Sequence, residues 1–136
     1  MQNKNLDGHS MAPCEVEFTG SAGILKGFLF LPPGGGPFPC VIDNHGSATP
    51  PGTTDLSHPQ TAALFLSWGC AYLFPHRAGY GNSPGIAVGD EVPAPRGTPE
   101  HDEQMSARLA RENNDAIAAL DYVSGLPEID ADRIFV

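Results

Sequence analysis

The sequence contains few basic residues and no long apolar run. Of its 136 residues only 7 are Lys or Arg, against 16 Asp or Glu, so the formal net charge is −9 at pH 7. Such a chain lacks the basic surface with which proteins bind nucleic acids or anionic membranes, and we expect neither as a partner. None of its apolar runs approaches the ~20 residues that a membrane-spanning helix needs.

Cysteine is also scarce. Cys14, Cys40 and Cys70 are an odd number, and no two of them form a C-x-x-C pair. Each lies in an apolar, strand-like stretch, so we expect three buried free thiols, which suits a reducing compartment. The first ten residues, MQNKNLDGHS, contain no apolar segment of the kind found in signal peptides. The sequence therefore predicts a cytoplasmic protein.

Turn-forming residues, in contrast, are abundant: the chain has 16 Gly and 14 Pro. They do not follow a G-X-Y repeat, so they indicate loops and tight turns rather than a collagen helix. The hydrophobic content of 40% suffices for a packed core, and the length is that of one domain. We expect a flexible N-terminal tail over residues 1–13 and a folded unit over residues 14–136.

The hydrophobic pattern predicts an antiparallel hairpin followed by alternating strands and helices. The predicted strands are residues 14–18, 24–31, 40–44, 70–74 and 134–136, and the predicted helices are residues 61–68 and 101–124. A capping box at Ser57 is expected to start the first helix, and Thr98 is expected to cap the second. On the second helix Asp115 and Asp121 are interpreted as surface charges. Its predicted apolar face consists of Met105, Leu109, Ala116, Leu120 and Val123.

Three stretches of the chain carry recognisable patterns. Residues 41–47, VIDNHGS, are an apolar strand that runs into a His-Gly loop. Residues 73–85, LFPHRAGYGNSPG, approximate R-G-x-G-x-S after a strand, and residues 114–136 join a helix to a strand through IDADRI. In this order and spacing they resemble the N-terminal half of an α/β hydrolase, nearest to the dienelactone hydrolase and prolyl-oligopeptidase-like branch. The resemblance implies an α/β fold in which a hairpin leads into a parallel sheet with flanking helices, truncated at the fifth strand.

The resemblance also implies a chemistry: hydrolysis of a small-molecule ester, a lactone or a peptide by a serine through an acyl-enzyme, with no cofactor. In this family the nucleophile elbow G-x-S-x-G directly follows the fifth strand, and the acid and the histidine come later. We therefore expect the chain to lack all three catalytic residues. One alternative is a non-catalytic or split-enzyme module that pairs with another chain, and another is a complete small protein with unrelated chemistry.

The resemblance places an oxyanion hole in the loop after the third strand. There Gly46 allows close backbone approach and Ser47 presents its amide, next to His45. Arg77 and Tyr80, in the loop after the fourth strand, are expected to organise and line the neighbouring part of the substrate cleft.

Two serines match the elbow in letters but not in context. Residues 81–85 read GNSPG, but the residue after Ser83 is Pro84, which has no N–H to donate to an oxyanion. Residues 8–12 read GHSMA, but Ser10 follows no strand and lies in the polar tail. Neither serine is expected to act as a nucleophile.

Two further expectations concern metals and association. Asp43, His45 and His76 follow or end adjacent predicted strands, but the common zinc spacings are absent, so we interpret them as loop anchors and expect no metal. The final strand, residues 134–136, is apolar and carries no Lys or Pro to block strand pairing. Self-association through this sheet edge is therefore expected.

Overall fold

The computed structural model describes residues 12–20, 22–46 and 57–136. In these ranges five strands form one mixed sheet with the order β1-β2-β4-β3-β5, and no helix is both long and apolar enough to cross a membrane. The strands are β1 (Cys14–Gly20), β2 (Gly23–Phe30), β3 (Phe38–Ile42), β4 (Ala71–His76) and β5 (Ile129–Phe135). The helices are α1 (Pro59–Ser67), α2 (Val88–Glu91) and α3 (Pro99–Ser124).

The predicted hairpin is confirmed: β1 and β2 pair antiparallel, and β2 then pairs antiparallel with β4. Gly27 allows this second pairing to be close, because a Cβ there would lie 2.8 Å from the backbone oxygen of Phe74. On the exposed side of the hairpin, Lys26 reaches Glu17 at 3.4 Å and Glu15 at 3.5 Å.

The parallel part of the sheet has β3 at its centre, between β4 and β5. All six residues of β4 are buried, which explains why this strand reads as a continuous apolar run. β5 begins at Ile129, earlier than the predicted start at residue 134. The register of its pairing with β3 shifts along the strand, because the pairs jump from Phe38↔Ile129 to Cys40↔Ile134.

The core lies on both faces of the sheet. On one face α3 packs Ala119 and Val123 against the hairpin and the central strands. On the other face α1 packs Ala62 against the aromatic residues Phe28, Phe30, Tyr72 and Phe74. Of the cysteines only Cys40 is buried, whereas Cys70 is half-buried and Cys14 is exposed, so the expectation of three buried thiols is wrong for two of them. Cys14 is the first residue of β1, an outer strand of the described sheet.

Of the two predicted helix caps, one is confirmed and the other is wrong. Thr98 caps α3 as predicted, because its hydroxyl accepts the N–H of His101 at 3.2 Å. The capping box at Ser57 is wrong: α1 starts at Pro59, and its N-cap is His58, with φ of 46° and no capping side chain. A capping box requires the Ser or Thr at the N-cap itself, and Ser57 lies one residue before it.

The predicted apolar face of α3 is wrong at Leu109. This residue is 52% exposed, whereas Arg108, Glu112 and Asp115 are buried. These charged residues pack against the polar loop that follows β4, and a search for apolar periodicity cannot detect a buried face made of charged residues. Nearer the C-terminus the prediction holds at Val123, which is fully buried.

Candidate functional site

Two loops meet at the carboxyl ends of neighbouring parallel strands. Residues 43–46 follow β3, and residues 77–85 follow β4. The N–H of Asp43 donates to the carbonyl of Leu73 at 2.9 Å, so the pairing of the two strands continues one residue beyond β3. Loops at the carboxyl edge of a parallel sheet are the usual place for ligand-binding groups.

His45 is the centre of this contact and is only 5% exposed. Its Nε2 accepts the backbone N–H of Arg77 at 3.1 Å, and its Nδ1 lies 2.8 Å from the carbonyl oxygen of Gly46. Because a carbonyl can only accept, Nδ1 carries the proton, and the hydrogen bonds assign the neutral Nδ1–H tautomer. Burial lowers the pKa of His45 to about 4, so the ring is neutral at pH 7.

Arg77 joins this loop to α3. Its Nη2 donates to the carbonyl oxygen of His45 at 2.8 Å, and its Nε donates to Glu112 Oε2 at 3.1 Å. The guanidinium also lies over the ring of Tyr80, 5.2 Å from the ring centroid. One side chain therefore binds the backbone at the end of β3 and a carboxylate on the helix.

Tyr80 is 1% exposed and lies beneath His45, with 4.6 Å between the ring centroids. Its hydroxyl donates to Glu112 Oε1 at 2.7 Å. Burial, followed by the hydrogen bond to Glu112, raises the pKa of the phenol. The hydroxyl thus faces α3, and the ring supports the His45 side of the loop contact.

Of the remaining residues considered in the sequence analysis, Gly46 lies in the described part of the chain, and Ser47 and Ser10 do not. A Cβ at Gly46 would meet no atom within 4 Å among the described residues, so this position is open on its Cβ side. The expected oxyanion role of the His45–Ser47 loop stays a prediction.

A network of charged residues on α3, which the sequence analysis missed, holds the loop after β4. The Arg108 side chain is fully buried, and its Nε donates to Glu112 Oε1 at 2.7 Å. Its Nη1 donates to the carbonyl of Ile86 at 3.0 Å and also contacts Glu91. Arg111 donates to the same Glu91 carboxylate at 2.7 Å. The i,i+4 spacing of Arg108 and Glu112 was the only available sequence signal, and it does not distinguish a buried pair from a surface pair.

Asp115 corrects a further expectation. It is 1% exposed and accepts the backbone N–H of Ala78 at 3.0 Å, so it is not a surface charge. Asp121, on the same helix, is exposed as expected. Gly79 allows the loop to fold tightly here: its φ is +83°, and a Cβ would lie 2.1 Å from the carbonyl oxygen of Ile86.

Ser83 has a structural role in the loop after β4. It is 5% exposed, and its Oγ donates to the carbonyl of His76 at 2.5 Å while accepting the N–H of Lys26 at 2.8 Å. Its hydroxyl ties the loop after β4 to the hairpin. No base is bonded to the Oγ in these contacts, so the geometry is not that of an activated nucleophile.

The carboxylate of Asp43 is bonded to residues other than His45 and His76, the two histidines considered with it as a metal site. Its carboxylate accepts from the Tyr72 hydroxyl and lies 3.1 Å from His58 Nδ1. His76 Nδ1 instead accepts the N–H of Asn82 at 3.0 Å. In the part of the chain that the structure describes, no group of three or more His, Cys, Asp or Glu side chains could hold a metal ion.

No family model and no curated protein matches the chain. Several solved structures do. Acetyl xylan esterase 1 from Thermoanaerobacterium sp. JW/SL YS485 has a TM-score of 0.66 at 19% identity, over 98% of this chain and 41% of that one. Esterase Est22 gives 0.61 at 18% identity, over 90% of this chain and 33% of that one. The alpha/beta hydrolase GrgF from Penicillium sp. sh18 gives 0.52 at 24% identity, over 90% of this chain and 36% of that one.

The strand order and the paired loops define an α/β protein, and the two loops meet at the carboxyl ends of β3 and β4, the edge at which such sheets usually bind ligands. The similar solved structures identify the fold within the α/β class: the chain has the N-terminal part of the α/β-hydrolase fold. It spans about a third to two-fifths of the length of the structures that it matches.

Proposed function

We propose that this chain is the N-terminal part of a serine hydrolase that cleaves an ester, a lactone or a peptide through an acyl-enzyme. Within the α/β hydrolases we place it in the dienelactone hydrolase and prolyl-oligopeptidase-like branch, on the patterns at residues 41–47 and 73–85. One observation carries the proposal. The His45 loop and the Arg77 loop are bonded together at the carboxyl ends of adjacent parallel strands in a sheet of α/β-hydrolase order.

In this proposal the His45–Ser47 loop supplies one donor of the oxyanion hole, the amide of Ser47. Support comes from Gly46, whose carbonyl oxygen is held by His45 Nδ1 at 2.8 Å. The Gly46 carbonyl belongs to the same planar peptide unit as the proposed donor. A preorganised donor of this kind contributes roughly 2.7–4 kcal/mol to transition-state stabilisation in serine hydrolases.

The nucleophile, the acid and the histidine of the triad would come from other parts of the natural protein. Ser83, which has the elbow letters around it, is bonded to His76 and Lys26 and precedes Pro84. The proposed reaction requires no cofactor. We also propose a cytoplasmic location, supported by the free thiols of Cys14, Cys40 and Cys70.

The experiment uses the natural protein, isolated from its source with an antibody against residues 100–124. A fluorophosphonate probe phosphorylates activated serines, and digestion followed by mass spectrometry locates the label. We expect one labelled serine, outside residues 1–136 and within a G-x-S-x-G sequence. A labelled Ser83 or Ser10 would contradict the proposal, and so would a natural protein that takes up no label.

A second candidate is a split enzyme or a non-catalytic module that pairs with another chain. The observation in its favour is the apolar exposure at the outer strand of the described sheet: Phe135, in β5, is 59% exposed. The same isolation discriminates between the two. If the antibody recovers the labelled serine on a separate polypeptide, the protein is one half of a split hydrolase.

A further inference from the structure

We propose that Glu112, in the middle of α3, is a positioning residue for the His45–Gly46 loop and acts on it through Arg77 and Tyr80. The inference rests on the proposed function, because it identifies what holds the oxyanion side of that site in place. The resemblance that indicated the two loops assigns no part in the site to Glu112.

Glu112 uses both of its carboxylate oxygens. Oε2 accepts from Arg77 Nε at 3.1 Å, while Oε1 accepts from the Tyr80 hydroxyl and from Arg108 Nε, each at 2.7 Å. The residue is 5% exposed, so water does not compete strongly for these bonds. Burial alone would raise the pKa of Glu112, but the hydrogen bonds from Tyr80 and Arg108 and the charge of Arg77 outweigh it and lower the pKa. The carboxylate is therefore charged at neutral pH.

Two contacts transmit this position to His45. Arg77, whose Nε binds Glu112, uses its Nη2 to hold the carbonyl of His45 at 2.8 Å. Tyr80, whose hydroxyl binds the same carboxylate, packs its ring 4.6 Å from the His45 ring. His45 is thus held at its carbonyl and at its ring, and both contacts lead to one carboxylate.

His45 then determines the position of Gly46. Its Nε2 is bonded to the backbone of Arg77, so Nδ1 has to carry the proton that it donates to the Gly46 carbonyl. If Arg77 or the Tyr80 ring moved, the His45 ring would shift relative to both of its partners, the Arg77 N–H and the Gly46 carbonyl, and with both bonds weakened it would exchange between its two neutral tautomers. The tautomer of His45 therefore reports directly on whether the link from Glu112 is intact.

The test is nitrogen NMR of the histidine rings in the full 136-residue chain at pH 7, which distinguishes an Nδ1–H ring from an Nε2–H ring. In the wild type we expect His45 to be nearly all Nδ1–H. Glu112→Gln keeps the shape of the side chain but removes its charge, and we expect a mixture of tautomers in the folded protein. Glu103→Gln, on an exposed position of the same helix, is the matched control and should leave His45 unchanged.

An unchanged His45 tautomer in folded Glu112→Gln would overturn the proposal. If that variant does not fold, Arg77→Lys is the substitute, because lysine keeps the charge but cannot reach both Glu112 and the His45 carbonyl. An unchanged His45 tautomer in Arg77→Lys would likewise overturn the proposal.

In the natural hydrolase, Glu112→Gln should lower kcat roughly 10- to 100-fold with a smaller change in KM. An unaltered kcat would overturn the positioning role. If no serine of the natural protein is labelled, the proposed function is overturned instead. The His45 tautomer would still show whether Glu112 positions the His45–Gly46 loop.

Discussion

Asp115, near the middle of α3, accepts the backbone N–H of Ala78 at 3.0 Å across 37 residues of sequence. Ala78 directly follows Arg77, so this bond fixes the course of the loop after β4 separately from the ion pairs. Both residues are buried, Asp115 at 1% and Ala78 at 7% exposure. A buried carboxylate that serves a backbone N–H is costly to replace, because the donor loses its partner.

We therefore predict that Asp115→Ala lowers the free energy of unfolding by about 1–3 kcal/mol. The measurement is urea denaturation followed by circular dichroism. Asp121→Ala removes an exposed carboxylate from the same helix and should change the stability by less than ~0.5 kcal/mol. Equal losses in the two variants would show that Asp115 has no special role.

A second prediction concerns the ion pairs at Glu112. The Arg108 side chain is fully buried, and Glu112→Ala removes its partner at Nε. Arg108 keeps its ion pair with Glu91, but the substitution also removes the carboxylate that pairs with the buried Arg77 and accepts from the Tyr80 hydroxyl, so we expect a loss of about 3 kcal/mol in the free energy of unfolding. Glu103→Ala is the control for the loss of a helix glutamate. A loss below ~1 kcal/mol would mean that the network contributes little to stability.

The buried ring of His45 predicts a pH dependence. Its pKa is about 4 in the folded chain, below the ordinary 6.5, and burial is the main cause. Between these values the unfolded chain binds a proton that the folded chain does not. The contribution of the neutral His45 ring to the free energy of unfolding is therefore complete above pH 6.5. It is lost as the pH falls toward 4, by at most ~1.4 kcal/mol per pH unit.

His45→Gln removes the titrating ring and isolates this effect. We expect the stability difference between the wild type and His45→Gln to shrink from pH 7 to pH 5 in urea denaturation. Carboxylates that titrate in both proteins cancel in the difference. A difference that stays constant over this range would contradict the buried, neutral state of His45.

Much of the fold could be predicted from the sequence, because it depends on local signals. The hydrophobic pattern indicated the hairpin of β1 and β2, and the cap at Thr98 indicated the start of α3. The hairpin that leads into a parallel sheet with flanking helices followed from the α/β-hydrolase resemblance and is confirmed. The resemblance also directed attention to His45 and Arg77, which the structure brings within hydrogen-bond distance.

The missed features are long-range and polar. Glu112 is bonded to Arg77 and Tyr80, which precede it by 35 and 32 residues, and no periodicity in the sequence links them. Apolar patterning assigned the buried face of α3 to residues such as Leu109, which is 52% exposed. A helix face buried by charge pairing looks like a solvated face until its partners are known.

A further prediction concerns association. β5 is the outer strand of the described sheet, and its Phe135 is 59% exposed, so we expect the 136-residue chain to self-associate at moderate salt, where its net charge is screened. Light scattering should show a smaller mass for Phe135→Lys. Leu109→Lys changes a comparably exposed apolar residue on α3 and should have no effect. A monodisperse wild-type monomer at low and moderate salt would contradict this expectation.

The most direct test of the central claim is a labelling experiment on the 136-residue chain itself. The claim is that these residues shape one wall of a serine hydrolase site without supplying its nucleophile. We predict that the folded chain takes up no fluorophosphonate and does not hydrolyse simple aryl esters above background. Covalent label on Ser83 or Ser10, lost when that serine is changed to alanine, would contradict the claim.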